Sequence, residues 1–522
     1  MARVLVTEKI ADRGLDRLRG EGHDVVERLD LSPADLLAEV RTAHALLVRS
    51  ATQVTAEVLA AAPDLVVVAR AGIGLDNVDV DEATRRGVIV VNAPQSNLLS
   101  AAEHTMALLL AQARNVPQAH AALVAGRWER ARWEGMELND KVLGIVGLGN
   151  IGRLVAQRAQ AFGMRVVAHD PFVAPERARQ LNVDMVTLDE LVRVADVVTV
   201  HVAKTPETVG LIGKDLLARA KPGIRIVNVA RGGIVDEEAL AEAIREGRVA
   251  GAALDVFAEE PTTASPLFGL DGVVVTPHLG ASTREAQDKA GETVAEQVAL
   301  ALAGEFVPLA VNVQAAAADE LVRPFLPLAE RLGDLFAGLN EGVPDLLSVE
   351  FLGGIAGRDT RILTLAVLKG VFGRVSAEPV TYVNAPRIAA ERGLDVRHST
   401  TASARDHVNL VAIRGDRHAI AGTLAGLRSE PRIVMIDDHG IDMPPAPHLL
   451  VVRNDDRPGI IGVVGTALGD AGVNIDNMAV GRVPGGESAM MVLATGGPVP
   501  PDVQASLRAA DGIISVSAIS AG

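Results

Sequence analysis

The sequence contains no cysteine. It therefore has no disulfides, no thiolate metal ligands and no cysteine nucleophile, which agrees with a cytoplasmic location. Aromatic residues make up only 2% of the chain, so its cores must be built from Ala, Val, Leu and Ile. No apolar run approaches the roughly 20 residues of a membrane span. Residues 1–10 form a short apolar run followed by charges, which indicates a strand and not a signal peptide.

Positive charge is scarce relative to negative charge. The chain has 50 Lys and Arg residues against 66 Asp and Glu residues, a formal net charge of -16. A nucleic-acid surface needs a basic footprint, so this balance argues against a nucleic-acid partner and mainly favours solubility. Hydrophobic residues at 48% and charged residues at 22% are typical of globular domains. A chain of 522 residues is too long for one core, and three or four domains are expected.

The first three hundred residues alternate short apolar runs with helical patterns, which is typical of βαβ units and parallel sheets. A first series of strands is predicted at Val4–Val6, Ala45–Val48, Leu65–Ala69 and Val88–Val91. A second series is predicted at Val142–Val146, Arg165–His169, Val197–Val200, Arg225–Val229, Gly251–Asp255 and Val273–Val275. The longest helical patterns run over Ser100–Arg114, Arg153–Phe162 and Arg284–Ala303.

The pattern changes after Asn312. Residues 315–318 are four alanines and indicate a linker, and the residues that follow, to about Met443, mix helix and strand patterns. Pro444–Pro447 is typical of a stiff connector. Residues 448–522 form a short last unit whose pattern predicts strand, helix, strand, strand and helix.

A glycine-rich turn joins the predicted strand Val142–Val146 to a helix. Its glycines are Gly147, Gly149 and Gly152, and Asp170 ends the next strand. The first glycine permits the tight turn, the second lets the backbone approach a pyrophosphate, and the third lets helix and strand pack closely. The helix N-terminus offers free N–H groups to phosphates. Asp170 should accept hydrogen bonds from an adenosine ribose and repel a 2′-phosphate, so the motif predicts NAD over NADP; a simple tight turn is the alternative.

Three later segments offer a cation, carboxylates and an imidazole. Arg231 and Asp255 follow predicted strands, Glu260 lies just beyond Asp255, and His278 follows Val273–Val275 in the pattern Pro-His-x-Gly. Ligands of open α/β sheets bind at these strand ends. An arginine can grip a carboxylate, a histidine can exchange a proton near neutral pH, and a carboxylate can orient that histidine. The alternatives are a structural ion pair for Arg231 and a surface acid for Glu260.

These motifs resemble the D-isomer-specific 2-hydroxyacid dehydrogenases, and among them the long forms with extra C-terminal domains. The matching stretches run from 48–52 and 70–74 through the glycine turn to 277–283. The resemblance implies two Rossmann-like, doubly wound α/β domains, then an α+β intervening domain and a C-terminal ACT domain, an amino-acid-sensing module. The implied bounds are 1–98 with 283–312 for substrate binding, 99–282 for NAD binding, 313–446 for the intervening domain and 448–522 for the ACT domain.

The resemblance also implies catalytic roles for Arg231, Glu260 and His278. His278 would accept the C2 hydroxyl proton, Glu260 would orient and charge-stabilise the ring, and Arg231 would grip the carboxylate and polarise the forming carbonyl. Glu259 is the rival carboxylate, but Glu260 directly precedes Pro261, as in the family motif. The implied NAD-site residues are Gly147, Gly149, Asn150, Ile151, Gly152, Asp170, Ala230, Asp255, His278 and Gly280.

The implied substrate is 3-phosphoglycerate, which has two anionic ends and needs cations beyond Arg231. The implied substrate residues are Arg49, Ser50, Arg70, Gly72 and Arg231. No metal is expected. The chain is expected to form a dimer or tetramer, in which the basic segment 126–133 reaches the partner's site. A solvated basic helix with packed tryptophans is the alternative for that segment.

The last unit implies regulation. By the resemblance, Asp456 of the Asp-Arg-Pro-Gly motif and Asn474 would bind L-serine as the pathway end product; Asn454 stands where some members have an aromatic residue. Two other functions compete with phosphoglycerate oxidation. One is reduction of hydroxypyruvate, glyoxylate or 2-oxoglutarate, and the other is an NADH-sensing corepressor-like scaffold. The long tail argues against both, and the full catalytic set argues against the scaffold.

Overall fold

The computed structural model describes residues 1–313, 319–340, 342–376, 380–404, 406–482 and 488–520. Over these residues the chain forms four β-sheets, and the two nearest the N-terminus are wholly parallel. The predicted linker at 315–318 lies outside the described residues. Among the described helices there is no candidate for a membrane span.

The first sheet is built from short strands, and all but the edge strand Asp24–Glu27 are mainly apolar and buried. Its strands are β1 (Arg3–Val6), β2 (Asp24–Glu27), β3 (Ala45–Val48), β4 (Val67–Arg70) and β5 (Ile89–Asn92). The helices between them are α1 (Asp12–Gly20), α2 (Pro33–Glu39), α3 (Ala56–Ala60) and α4 (Val80–Arg85). The strand order is β2-β1-β3-β4-β5. Side chains of Ser32, Thr55 and Asp79 cap three of these helices.

The second sheet has seven parallel strands. They are β6 (Val142–Val146), β7 (Arg165–His169), β8 (Asp184–Met185), β9 (Val197–Val200), β10 (Ile224–Asn228), β11 (Val249–Leu254) and β12 (Val273–Val275). Its helices are α5 (Leu98–Ala113), α6 (Val116–Val124), α7 (Asn150–Ala161), α8 (Pro175–Arg179), α9 (Leu188–Val194), α10 (Lys214–Arg219) and α11 (Glu237–Arg245). The order is β12-β11-β10-β9-β6-β7-β8.

Strand order reverses once in each parallel sheet, and ligands of such sheets bind at that reversal. In the second sheet the reversal lies between β6 and β9, directly before the glycine turn. In the first sheet it lies between β1 and β3, which are followed by Glu8 and Arg49. Helix α12 (Arg284–Leu302) then returns from the second sheet to pack on α1, where Gly14 and Gly291 allow the two backbones to meet.

The C-terminal half contains a mixed sheet followed by an antiparallel one. The mixed sheet holds β13 (Leu346–Gly353), β14 (Asp395–Thr401), β15 (Asn409–Arg414), β16 (Ala419–Ala425), β17 (Glu430–Ile436) and β18 (His439–Met443), with α13 (Leu326–Leu339), α14 (Arg361–Val375) and α15 (Ala385–Glu391). The last unit runs β19 (His448–Asp455), α16 (Ile460–Asp470), β20 (Ile475–Arg482), β21 (Ser488–Thr495), α17 (Pro501–Ala509) and β22 (Ile513–Ser520). Its strand order is β20-β21-β19-β22.

The two central strands of the last unit, β19 and β21, are buried on both faces. Alternate residues such as Leu450 and Val452 pack under α16 and α17. Leu449 and Val451 instead join the hydrophobic core of the preceding unit. The connector at Pro444–Pro447 therefore joins two units that share one core, and they are expected to move together.

The preceding unit is also fixed to the first sheet. Val383 is buried in the core around α12 and β1, and the Thr381 hydroxyl donates to the main-chain oxygen of Gly87 at 3.1 Å. Nζ of Lys369 donates to the main-chain oxygen of Gly304 at 3.3 Å. These contacts link the C-terminal half to the unit that contains Arg49 and Arg70.

The predicted fold class is confirmed, and the differences are local. The helix predicted from Arg153 begins at Asn150, because Gly149 is its N-cap and Gly152 lies inside its first turn. The strands predicted at Arg225–Val229 and Gly251–Asp255 are β10 and β11, which begin and end slightly earlier. Strands β2 and β8 were not predicted, since both are short, half-exposed edge strands with little apolar signal. The domain bounds remain predictions.

Candidate active site

Two adjoining cavities lie where the C-terminal ends of the two parallel sheets face each other. The larger, of about 440 Å³, is lined by Arg231, Ala230, Ile151, Asp255 and Gly280 together with residues of the first sheet's loops. The smaller, of about 120 Å³, is lined by Arg49, Ser50 and Gly72 and by residues at the start of α12. Arg70 and His278 line both cavities. The structure thus brings the predicted substrate residues and His278 around one divided cleft, while Glu260 lines neither cavity and contacts His278 instead.

The glycine turn after β6 has the shape that a dinucleotide requires. Gly147 has φ +95°, and a Cβ there would lie 2.6 Å from the main-chain oxygen of His201. A Cβ on Gly152 would lie 2.2 Å from the oxygen of Gly147, so only glycine allows α7 to pack so closely. At Gly149 a Cβ would meet nothing within 4 Å, which leaves open space beside the N-terminus of α7. That space is where a pyrophosphate can approach the backbone.

Asp170 follows β7 and lies beside this turn. One carboxylate oxygen accepts from the main-chain N–H of Leu148 and the other from that of Phe172, both at 2.8 Å. The carboxylate is therefore held in one orientation next to the glycine turn. A fixed negative charge in this position can accept from ribose hydroxyls and disfavours a 2′-phosphate.

His278 and Glu260 form a hydrogen-bonded pair at the edge of the larger cavity. Nδ1 of His278 lies 2.5 Å from Oε2 of Glu260, while Oε1 of Glu260 accepts from the main-chain N–H of Phe257 at 2.8 Å. This hydrogen bond raises the pKa of His278 above 6.5 against the opposing effect of burial. Burial raises the pKa of Glu260, but His278 and the Phe257 N–H more than offset it, and the net pKa is lowered. A charged Glu260 can thus stabilise an imidazolium.

Asp255 is fully buried and fixes the turn that carries His278. Its carboxylate accepts from the N–H groups of Leu279 at 2.7 Å and Gly280 at 2.8 Å. It also accepts from the Thr276 hydroxyl at 2.6 Å, and Nε2 of His104 lies 3.1 Å away. Burial raises the pKa of Asp255, but these four donors lower it below its ordinary value. Asp255 therefore stays ionised and organises the catalytic turn.

Arg231 lies on the loop after β10, which Asn228 shapes. Oδ1 of Asn228 accepts from the N–H of Ala230 and its Nδ2 donates to the oxygen of Arg231, both at 3.0 Å. Gly232 is required here because a Cβ would lie 1.6 Å from the oxygen of Phe257. The Arg231 guanidinium lies 3.5 Å from the exposed carboxylate of Asp76. Its Nη1 also donates to the main-chain oxygen of Ala230 at 2.8 Å, and the guanidinium lines the larger cavity.

The loop that carries Arg49 and Ser50 is held by a carboxylate that the sequence did not reveal. Glu8, after β1, accepts from the N–H groups of Arg49 at 2.8 Å, Ala51 at 3.1 Å and Thr52 at 2.9 Å. Burial raises the pKa of Glu8, but these N–H groups lower it overall. Only its position after a strand at the sheet's reversal could have indicated this role.

Arg70 is a partly buried cation that lines both cavities of the cleft. Burial and the neighbouring charge of Arg231 lower its pKa. Among the described residues its Nε has no hydrogen-bond partner. The guanidinium folds over Gly72, where a Cβ would lie 2.0 Å from Nη1. A buried, incompletely paired guanidinium favours an anionic ligand.

Two further residues of the larger cavity, His201 and Lys204, were not predicted to belong to the site. His201 follows β9, and burial lowers its pKa to about 4, so it is neutral near pH 7. Its Nε2 pairs with the Thr199 hydroxyl at 3.0 Å. Both residues follow the buried strand β9, which pairs with the strand that leads into the glycine turn. That position in the sequence could have identified them as site residues.

The basic segment 126–133 does not line either cavity of its own chain. Trp128 is 82% exposed, and Val124 at the end of α6 is 75% exposed. Arg132 instead pairs with Asp271 at 3.3 Å and lies over the ring of Trp133. Val116 and Leu123 of α6 are exposed as well, so α6 and Trp128 form an exposed apolar surface.

The two residues predicted to bind an effector do not meet within the chain. Asp456 pairs with Arg482 at the C-terminal end of β20, at 2.9 Å. Asn474 precedes the other end of β20 and donates to Asp476 at 2.6 Å. A strand of this length separates them by about 25 Å. In the described part of the chain, no group of three or more His, Asp and Glu side chains could hold a metal ion.

Comparison with protein families matches three parts of the chain. Residues 106–280 match the D-isomer specific 2-hydroxyacid dehydrogenase NAD binding domain. Residues 321–437 match the D-3-phosphoglycerate dehydrogenase intervening domain, and residues 448–512 match the ACT domain.

Individual relatives agree with these matches. The D-3-phosphoglycerate dehydrogenase of Mycobacterium leprae is 51% identical over 514 residues, which cover 97% of each chain. The crystal structure of TT0316 protein from Thermus thermophilus is 39% identical with a TM-score of 0.56, covering 59% of this chain and 99% of that one. The NAD-dependent formate dehydrogenase from Staphylococcus aureus, solved in complex with NAD, is 30% identical with a TM-score of 0.53, covering 59% of this chain and 97% of that one.

Proposed function

Because this chain belongs to the D-3-phosphoglycerate dehydrogenase family, we propose that it oxidises 3-phospho-D-glycerate to 3-phosphooxypyruvate with NAD, the first step of L-serine biosynthesis. One observation carries the choice of substrate. Arg49, Arg70 and Arg231 line two adjoining cavities that share His278. A molecule with an anionic group at each end and a reacting carbon between them fits this arrangement.

The proposed orientation follows from the charges. The substrate carboxylate binds Arg231 in the larger cavity, and the phosphate binds Arg49 and Arg70, with Ser50 and the backbone at Gly72, in the smaller one. Arg70 lines both cavities and therefore holds the substrate where it passes from one cavity to the other. Two guanidinium groups beside a phosphate offer the paired donors that such an anion prefers.

The residues around C2 supply proton transfer and charge stabilisation. Nε2 of His278 takes the proton of the C2 hydroxyl as the C2–H bond breaks. Glu260 holds Nδ1 and stabilises the imidazolium that forms. Arg231 polarises the forming carbonyl. When bound, NAD accepts the hydride from C2.

The residues after β6 and β7 fit NAD. Gly147, Gly149 and Gly152 leave room for a pyrophosphate at the N-terminus of α7, with Asn150 and Ile151 at its first turn, and Asp170 holds a fixed carboxylate beside them. Ala230, Asp255 and Gly280 line the larger cavity with His278 and would hold the nicotinamide end of the cofactor.

The test is NAD reduction by the purified full chain with 3-phosphoglycerate, compared with D-glycerate, which lacks the phosphate. We expect phosphoglycerate to be preferred by roughly 100-fold or more in kcat/KM, because two guanidinium contacts are lost without the phosphate. Arg49→Ala should raise the KM for phosphoglycerate about tenfold and leave the KM for NAD unchanged. It should also reduce the preference for phosphoglycerate over D-glycerate. Arg17→Ala, at an exposed arginine of α1 paired with Glu21, is the matched control. Equal use of the two substrates by the native chain would refute the assignment.

Regulation and assembly form the second part of the proposal. L-Serine binds at the last unit through Asp456 and Asn474 contributed by two copies of the chain, since one copy places them at opposite ends of β20. The exposed apolar surface of α6 and Trp128 is a second contact between copies, in a dimer or tetramer, and brings segment 126–133 to the partner's cleft.

The proposed domain bounds follow the order of the four sheets along the chain. The substrate-binding domain comprises 1–98 and 283–312, the NAD-binding domain 99–282, the intervening domain 313–446 and the ACT domain 448–522. We place the reaction in the cytoplasm.

A further inference from the structure

His104 lies within α5 and lines neither cavity, yet its ring contacts the carboxylate that holds the catalytic turn. Its Nε2 lies 3.1 Å from Oδ1 of Asp255 and 3.0 Å from Oγ1 of Thr276. Thr276 already donates its hydroxyl hydrogen to Asp255. The ring nitrogen must therefore carry a hydrogen and donate it to both oxygens.

Asp255 transmits this contact to His278. Its main-chain oxygen accepts from the N–H of His278 at 2.8 Å, and its carboxylate holds the N–H groups of Leu279 and Gly280. His278 has φ +55°, a left-handed conformation that a non-glycine residue keeps only when its surroundings hold it. Removing a donor from Asp255 would loosen the turn that directs the imidazole.

From these contacts we propose that His104 is a positioning residue for the dehydrogenase reaction, acting through Asp255 on the orientation of His278. It lines neither cavity, so it is not placed to contact the substrate or NAD directly. The inference rests on the proposed function, because it concerns how the base of that reaction is held.

The first test compares three variants of the full chain. His104→Ala removes the donor, and His104→Gln restores one, because the glutamine amide nitrogen lies as many bonds from Cβ as Nε2 of histidine. Thr105→Ala is the matched control, since this neighbouring residue of α5 is even more buried than His104 but its hydroxyl donates only to the main-chain oxygen of Ala101 within the helix. We expect His104→Ala to lower kcat about 10- to 100-fold with both KM values within about threefold. His104→Gln should recover most of the loss, and Thr105→Ala should change little.

The second test asks whether His104 acts through His278. In a His278→Ala background, adding His104→Ala should lower the residual rate by less than about twofold, because the two residues act in one unit. The pH profile gives an independent answer. His278 faces Glu260, Asp255 and Arg231, and its hydrogen bond to Glu260 raises its pKa. With the turn loosened, that pKa falls, and the acidic limb of kcat/KM should move to lower pH by about half a unit.

The outcomes separate the inference from the function it rests on. If the native chain fails to oxidise phosphoglycerate, the proposed function is wrong. If the native chain is active but His104→Ala keeps its kcat, loses the same factor again without His278, or leaves the acidic limb in place, the positioning role alone is overturned.

Discussion

The proposed catalytic cleft and the last unit both contain charged or polar side chains assigned to a ligand, but the chain brings them together only in the cleft. In the cleft, Arg231, Glu260 and His278 come from three separate loops: Arg231 and His278 line the larger cavity, and Glu260 reaches it through its hydrogen bond to His278. In the last unit, Asp456 and Asn474 are close in sequence but stand at opposite ends of β20. The proposed catalytic groups therefore meet within one chain, whereas Asp456 and Asn474 of one chain are too far apart to contact one small ligand.

The two regions also differ in how deeply their charged side chains are buried. Arg70 is largely desolvated and Asp255 is fully buried, so their charges are fixed by the fold and favour a charged or polar ligand. Asp456 and Arg482 form an exposed pair, which contributes little stability. An effector can replace such a partner with little loss. Three predictions test this comparison.

The largest effect is expected at Glu260. Glu260→Gln should lower kcat on the order of 100-fold, because the imidazolium loses its charged partner. Oxidation requires neutral His278, so kcat/KM rises as pH passes the pKa of that residue. Glu260 raises this pKa, and its loss should move the acidic limb to lower pH. Steady-state rates over a pH series measure both changes. Glu259→Gln is the matched control and should stay close to native; equal effects of the two variants would contradict the assignment.

A smaller effect is expected at Asp170. Asp170→Ala should reduce the preference for NAD over NADP by about 10- to 100-fold, because charged hydrogen bonds to the ribose and repulsion of the 2′-phosphate are both lost. The measurement is kcat/KM for each dinucleotide at saturating phosphoglycerate. Asp184→Ala, an exposed acid on the neighbouring strand β8, should leave the preference unchanged. A native chain that uses both dinucleotides equally would remove Asp170 from cofactor selection.

The smallest effect is expected in the last unit. Asp456→Ala and Asn474→Ala should each raise the L-serine concentration that halves turnover by about tenfold, with every rate normalised to the same variant without serine. Asp502→Ala, at the exposed start of α17, is the control.

Mixing the two serine variants sharpens the comparison. If each binding site takes Asp456 from one copy and Asn474 from another, mixed assemblies contain some intact sites and regain part of the inhibition. Mixing Glu260→Gln with His278→Ala should restore no turnover, because both residues belong to one chain. Recovery in the second mixture would show that the cleft, too, is shared.

Local patterns made most of the fold and several site residues predictable. Most strands of the two parallel sheets are largely apolar runs, and Gly147, Gly149 and Gly152 are recognisable by their spacing between a predicted strand and a predicted helix. The edge strands β2 and β8 were not predicted, because few of their side chains are apolar and buried. Glu8, His104 and Asn228 also escaped it, since an isolated polar residue has no periodicity that marks its partner.

The sequence by itself determined which chemical groups the protein carries and the order in which they follow its strands. That order is enough to predict a dinucleotide turn and an Arg, Glu and His set, because each motif lies in a short contiguous segment. Only the tertiary structure decided which groups meet. Asp255 holds the turn of His278 with help from His104 on a distant helix, and Asp456 is separated from Asn474 by the length of a strand. Hydrogen-bond partners far apart in sequence depend on how sheets and helices pack, which local residue patterns do not specify.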